Sequence, residues 1–119
     1  MKWIAVCMVL LSFMPAAFAA EYPELGVRVE TVADNLDIPW SIDWLPNGDA
    51  LFTERGGSLR IISDGTLQQE PVLSLKVSGV EGGMLGVAVD PEYEQNNYIY
   101  LYYTQSELGI IQVLSLIHI

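Results

Sequence analysis

"IPWSIDWLPNGDALFTERGGSLRIISDGT", Ile38 to Thr66, decides the fold. Ile38, Trp40, Ile42 and Trp44 fall on one side of an alternation whose other side carries Ser41 and Asp43, the period of two that marks a β-strand. Asn47-Gly48, directly after Pro46, is a tight hairpin signal, because glycine supplies the positive φ that other residues resist. Gly56-Gly57 and Asp64-Gly65 read the same way, so three successive hairpins are expected to join four strands between Trp40 and Val77. A four-stranded antiparallel meander of about 40 residues is the unit of a β-propeller blade.

Strand signals continue on both sides. "VRVETV" precedes this stretch, and "VLSLKV", "MLGVAV" and "YIYLYYT" follow it, separated by turn residues. No segment between Glu21 and Thr104 carries a 3.6-residue apolar period, so the chain is expected to be all-β. "GVAVDPEYEQNNYIYLYYT", Gly86 to Thr104, repeats the plan of "SIDWLPNGDALFTE": a strand, a proline just past its end, an Asn-containing turn, and a second strand with aromatics. The separation of Pro46 from Pro91 falls within the ~40 to 45 residue period of propeller repeats. Measured to Leu51 and Ile99, the second turn is three residues longer. A seven-stranded sandwich or barrel is the alternative that the residues alone leave open. A propeller closes with roughly four to eight blades, and this chain holds one blade and about half of another.

The two ends differ from the middle. Residues 1–19 combine one early cation, Lys2, an apolar run from Ile4 to about Met14, and small residues ending in Ala17-Phe18-Ala19, the layout of a signal peptide cut between Ala19 and Ala20. The apolar run of about 11 residues falls short of the roughly 20 that span a bilayer. Export to the periplasm or the extracellular space is therefore expected, with no membrane anchor after removal. Lys2 would leave with the signal, moving the net charge from -10 to -11. Such an acidic chain is not expected to bind nucleic acid, which rewards clustered Lys and Arg. The single cysteine, Cys7, lies in the signal, so packing alone must stabilise what remains. At the other end, "QSELGIIQVLSLIHI", residues 105–119, is apolar: of the eleven residues from Gly109 to Ile119, seven are Ile, Val or Leu. It is read as a divergent tail left by truncation or a shifted frame, with a genuine strand as the alternative. Residues 20–104 are the partial propeller.

"VETVADNLDIPWSIDWLPNGDALFTERGGSLRIISDG" followed by "EGGMLGVAVDPEYEQNNYIYLYYT" resembles the soluble quinoprotein glucose/sorbosone dehydrogenase family. The shared features are an "L-x-x-PW" opening, a "P-x-G" hairpin, a "TER-x-G-x-L-R" second turn, and a "GG-x-LG…DP…N-x-x-I-Y" segment, in that order from about Val29 to Thr104. The resemblance implies the N-terminal part of a six-bladed β-propeller that oxidises the anomeric hydroxyl of an aldose. It also implies pyrroloquinoline quinone (PQQ) as hydride acceptor, calcium polarising the quinone, and an electron acceptor that reoxidises the cofactor. The family's catalytic histidine and most of its cofactor contacts belong to later blades, so no catalytic residue is expected in this chain; His118 lies outside any matching segment. A non-catalytic propeller that binds a protein or glycan and a metal-dependent lactone hydrolase on a similar ring are the competing functions. A histidine early in a third blade, with basic residues around the axis, would distinguish the dehydrogenase from both.

Within the matching segment the resemblance directs attention to Glu81, Gly82 and Gly83. Glu81 stands where the family commonly has a glutamine close to sugar and cofactor; a carboxylate there accepts a hydrogen bond but cannot donate one as an amide does. Gly82 and Gly83 suit a sharp bend or a close approach of backbone to ligand, with ordinary turn duty as the alternative. Asp90, Glu92 and Glu94 are not spaced like a calcium loop. Asp90 is read instead as bonding its own turn. Trp40 and Trp44 are read as core or inter-blade packing rather than sugar platforms. Glu54, Arg55 and Arg60 are read as scaffold, with an ion pair worth little if exposed.

Overall fold

A computed structural model describes residues 19–77, 82–104 and 111–115. Two units are separable, residues 1–31 and 32–119. In the first, β1 (Ala19–Tyr22) and β2 (Val27–Glu30) form an antiparallel hairpin around a short 3-10 turn at Pro23–Leu25. The Arg28–Glu30 ion pair on β2 is exposed and contributes little. Residues 1–18, most of the expected signal peptide, lie outside the described residues.

The second unit is built from two antiparallel sheets. β3 (Pro39–Trp44), β4 (Ala50–Glu54) and β5 (Ser58–Ser63) follow one another as hairpins. The fourth strand position is broken into β6 (Thr66–Leu67) and β7 (Leu73–Ser74), both paired with β5. Pro71 lies in the gap, and a residue without an N–H cannot carry a ladder through it. The second sheet has the order β10-β9-β8, from β8 (Met84–Val89), β9 (Ile99–Thr104) and β10 (Ile111–Ser115). The fold is thus part of a β-propeller, one blade and three strands of the next. β10 falls within the apolar tail and pairs along its whole length with β9.

The repeat read from the prolines recurs in the ladders. A β-bulge interrupts the register between Pro39 and Ser41 on β3, and another interrupts it between Met84 and Gly86 on β8, the same spacing that separates Pro46 from Pro91. Trp44 pairs with Ala50, and Val89 with Ile99, so Ala50 and Ile99 are the equivalent first residues of the second strands. The second connection is therefore four residues longer, one more than the sequence comparison counted. The difference arises because Leu51 corresponds to Tyr100 rather than to Ile99, its hydrophobic look-alike. Part of that connection is a single helical turn, α1 (Tyr93–Asn96), ended by Asn97 in the left-handed conformation.

Side chains from both sheets make one core: Leu45, Leu51 and Leu59 from the first, with Met84, Val87, Ile99, Leu101 and Tyr103 from the second. Each large aliphatic side chain fully buried there contributes roughly 1.5–3 kcal/mol. β8 lies at the edge of its sheet, and an edge leaves backbone N–H groups unpaired. Two of them are taken by side chains of β3: Val89 N–H donates to Asp43 Oδ2 (2.7 Å) and Val87 N–H to Ser41 Oγ (3.4 Å). The polar side of the β3 alternation thus joins the two sheets. Its apolar side points the other way, and Trp40, Ile42 and Trp44 are exposed by 55%, 49% and 57%, outside the core.

The turn after β8 is held by Asp90, whose Oδ1 accepts from Glu92 N–H (2.8 Å) and Asn96 Nδ2 (3.0 Å), and whose Oδ2 accepts from the Tyr100 hydroxyl. The Tyr100 hydrogen bond, then Asn96, then the Glu92 N–H hold the Asp90 carboxyl below its ordinary 3.8; the same bond to Asp90 raises Tyr100 above 10.0. A lowered folded-state value means that the contribution of Asp90 is complete above pH 3.8 and is lost as pH falls from there through the folded-state value. For Tyr100 the sign reverses, its contribution being lost as pH climbs past 10.0 through the raised value. Urea midpoints measured down an acid series should fall less steeply below pH 3.8 for Asp90→Asn than for the parent. Parallel slopes would show that Asp90 carries no such linkage.

Candidate functional site

The end of the sheets opposite the α1 turn is organised by Glu54 and Arg55, the last residue of β4 and the first of the Arg55-Gly56-Gly57 turn. Glu54 is buried, and its Oε1 accepts the Asp37 N–H (2.9 Å) while Oε2 accepts Arg60 Nη1 (3.3 Å). Arg60 also donates through Nη2 to the carbonyls of Gln68 (3.0 Å) and Gln69 (3.5 Å). With side-chain exposures of 7% and 17%, Glu54 and Arg60 form a desolvated tie between the loop before β3, the centre of the blade and its outer edge. That is a stronger role than the exposed pair weighed from sequence.

The Arg55 backbone is engaged on both sides. Its N–H donates to the Ile38 carbonyl (3.0 Å), and its carbonyl accepts from Met84 N–H (3.1 Å), the first residue of β8. Gly83 is stacked directly against that carbonyl: a Cβ at Gly83 would lie 2.3 Å from Arg55 O, and Gly83 has φ 136°. The Gly83 carbonyl accepts Thr104 N–H (2.9 Å), and Gly83 N–H donates to Thr104 Oγ1 (3.4 Å). Gly83 is therefore required by a close approach, but the backbone it approaches is the chain's own. Ile38 has a positive φ, a left-handed conformation that is rare for a β-branched residue and marks stored strain. Its carbonyl bond to Arg55 holds it there.

Around this crossing lies an open cleft of about 260 Å³ lined by Asp37, Ile38, Arg55, Gly56, Val77, Gly82 and Gly83. The structure thus brings Gly82 and Gly83 of the sequence-derived trio to a cleft. Glu81 lies outside the described residues. Sequence reasoning did not select Asp37, Ile38 or Arg55 as site residues. The signals present were the polar Asp37 next to a strand start and an arginine in a Gly-Gly turn, and both are ordinary in hairpins. At the other end a larger cleft of about 360 Å³ lies between the Pro46-Asn47 turn and α1, bordered by Asp49, Tyr93 and Glu94.

The family described as Glucose / Sorbosone dehydrogenase matches residues 36–115, which span both sheets and the cleft between their ends. The chain belongs to that family. The aldose sugar dehydrogenase of Escherichia coli K12 is 40% identical, over 70% of this chain and 23% of its own length. Among solved structures, an oxidoreductase of the glucose dehydrogenase type from Thermus thermophilus superposes with a TM-score of 0.67 at 37% identity, covering 74% of this chain and 27% of its own. The PQQ-bound aldose sugar dehydrogenase of Streptomyces coelicolor gives 0.63 at 30% identity, covering 71% and 26%. The chain thus spans about a quarter of the length of these relatives.

The chemistry of the cleft allows a test against the quinone of the Streptomyces relative. PQQ carries carboxylates, and the guanidinium of Arg55 is a donor set that fits a carboxylate. Among the described residues no three His, Cys, Asp or Glu side chains converge. No calcium-dependent step is assigned to these residues.

Proposed function

We propose that this chain is the N-terminal part of an exported, PQQ-dependent aldose dehydrogenase. The observation that carries the reading is the family match over residues 36–115, joined to a cleft at the end of the blade where Gly82 and Gly83 lead into β8. When bound, the quinone supplies the hydride acceptor. The part assigned to this chain is binding and orientation: Gly82 and Gly83 shape one wall, Arg55 and Asp37 present a donor and an acceptor, and Glu81, preceding Gly82, is proposed as a substrate contact. Holding sugar and quinone in one geometry is worth several kcal/mol of barrier in such a reaction. The base that removes the hydroxyl proton and the ligands of calcium are expected from later blades. Export follows from the signal-like residues 1–19; among the described residues no helix is long and apolar enough to cross a membrane.

A chimera in which residues 20–104 replace the equivalent quarter of the E. coli aldose sugar dehydrogenase tests the reading. Supplied with PQQ and calcium, it should reduce an electron-accepting dye when given aldoses, with turnover dependent on the quinone. A soluble, folded chimera with no turnover would overturn the assignment. The 119-residue chain alone should show none under the same conditions, and robust turnover would refute the view that the catalytic parts lie elsewhere.

A further inference from the structure

We propose that Arg55 is a carboxylate anchor in this cleft, a binding role distinct from the scaffold duty of Glu54 and Arg60; the proposal rests on the cleft being the ligand face of the sugar dehydrogenase reading. Three arginines occur in the described residues. Arg28 is paired with Glu30, and Arg60 with Glu54 and two carbonyls, whereas the Arg55 guanidinium has no hydrogen bond or ion pair among the described residues. Among those residues it is the one cationic side chain lining the cleft, in a chain of net charge -10.

Its placement is set by constraints that a solvated surface arginine does not need. Both backbone groups of Arg55 are hydrogen-bonded to separate segments, Ile38 and Met84, and Gly83 packs on its carbonyl so closely that no side chain fits between. The Arg55 Cγ passes close to the same glycine, 2.6 Å from where a Gly83 Cβ would stand, so the start of the stem runs along Gly83. Ile38 is held in a strained conformation by its bond to the same residue. The guanidinium is thus presented from a backbone tied on both sides, and its planar fork matches a carboxylate with two parallel N–H···O bonds.

Asp37 lines the cleft without pairing to Arg55. Its carboxylate accepts hydrogen bonds from hydroxyls. The ligand chemistry that fits is therefore a carboxylate on a small polar molecule. The carboxylate has two sources, the quinone itself or the acid group of a uronic acid substrate.

The two are separated with PQQ alone, glucuronate alone and neutral glucose alone as probes. Binding to the 119-residue chain would be followed by the shift of the Arg55 Nε resonance and by tryptophan fluorescence. In Arg55→Met the dissociation constant for the responsive carboxylate probe should rise about tenfold, as expected for losing one charge-assisted contact, with glucose unchanged. Arg55→Lys, which keeps the charge but not the fork, should lie between. A response to PQQ assigns the cofactor, and a response to glucuronate alone assigns an acid sugar. No shift with either probe at millimolar concentration, or an equal loss for glucose, would overturn the anchor. Thermal melts of both variants identify a misfolded protein, and in that event the Arg55 Nε shift in the parent chain decides. Turnover by the chimera is read separately, so the family reading and the anchor fail independently.

Discussion

Replacing Glu54 by alanine is expected to destabilise the chain by about 3–5 kcal/mol, the range for removing one partner of a buried ion pair. The cost has two origins. Arg60, 17% exposed at its side chain, keeps its charge and loses its carboxylate partner, and the Asp37 N–H loses its acceptor. The Nε of Arg60 is already buried without a partner among the described residues, and without Glu54 its charge would rest on the neutral Gln68 and Gln69 carbonyls. Glu54→Gln should cost less, because an amide oxygen still accepts from Asp37 N–H. Adding Arg60→Met to Glu54→Ala should recover part of the loss by removing the orphaned charge. Urea denaturation followed by tryptophan fluorescence measures all four proteins. Equal stability of parent and Glu54→Ala would mean that the pair is solvated after all.

Gly83→Ala should be at least as damaging, about 4 kcal/mol or more, because strain and overlap act together. The added methyl would stand 2.3 Å from the Arg55 carbonyl and 2.6 Å from its Cγ, at a φ of 136° that side chains rarely adopt. Relief requires separating β8 from the Arg55 turn, which breaks the Met84 N–H···O bond and opens the core at Met84, itself fully buried. Gly48→Ala is the control: its φ is also positive, but nothing lies within 4 Å of the new methyl. Only the backbone cost of about 1–2 kcal/mol remains there. Similar losses for both variants in urea titrations would show that close packing against Arg55 contributes nothing.

The difference between these glycines shows where legibility in the sequence ends. Asn47-Gly48 is a local signal: the turn closes on itself through Asp49 N–H to Asn47 Oδ1 (3.0 Å) and Gly48 N–H to the Leu45 carbonyl (2.9 Å). The resemblance marks the Gly82-Gly83 pair, but its partner, Arg55, belongs to a turn of the preceding blade, and no local pattern names it. The same limit produced the one-residue error in aligning the second strands. Ile99 matched Leu51 by hydrophobicity, whereas the ladder pairs Val89 with Ile99 where Trp44 meets Ala50.

Trp40 and Trp44 illustrate the same limit. Their alternation with Ser41 and Asp43 was legible, but which side meets the second sheet was not, since both sides of a blade can be buried. The polar side won because β8 offers bare N–H groups that Asp43 and Ser41 accept. A contiguous apolar face is left exposed on β3, larger than single scattered side chains would make it.

The sequence by itself determined what depends on near neighbours along the chain: strands from period-two alternation, turns from Asn-Gly, Gly-Gly and Asp-Gly, the repeat marked by Pro46 and Pro91, and the motif order that marks the family. Only the tertiary structure decided what depends on register. It set the bulges at equal places in two sheets, the Glu54–Arg60 tie, and the meeting of Arg55 with Gly83 in a cleft. The physical reason is that strand propensity and turn chemistry act over a few residues, whereas a side chain's partner is chosen by which strand lies beside it and by how far a bulge or a helical turn has shifted it.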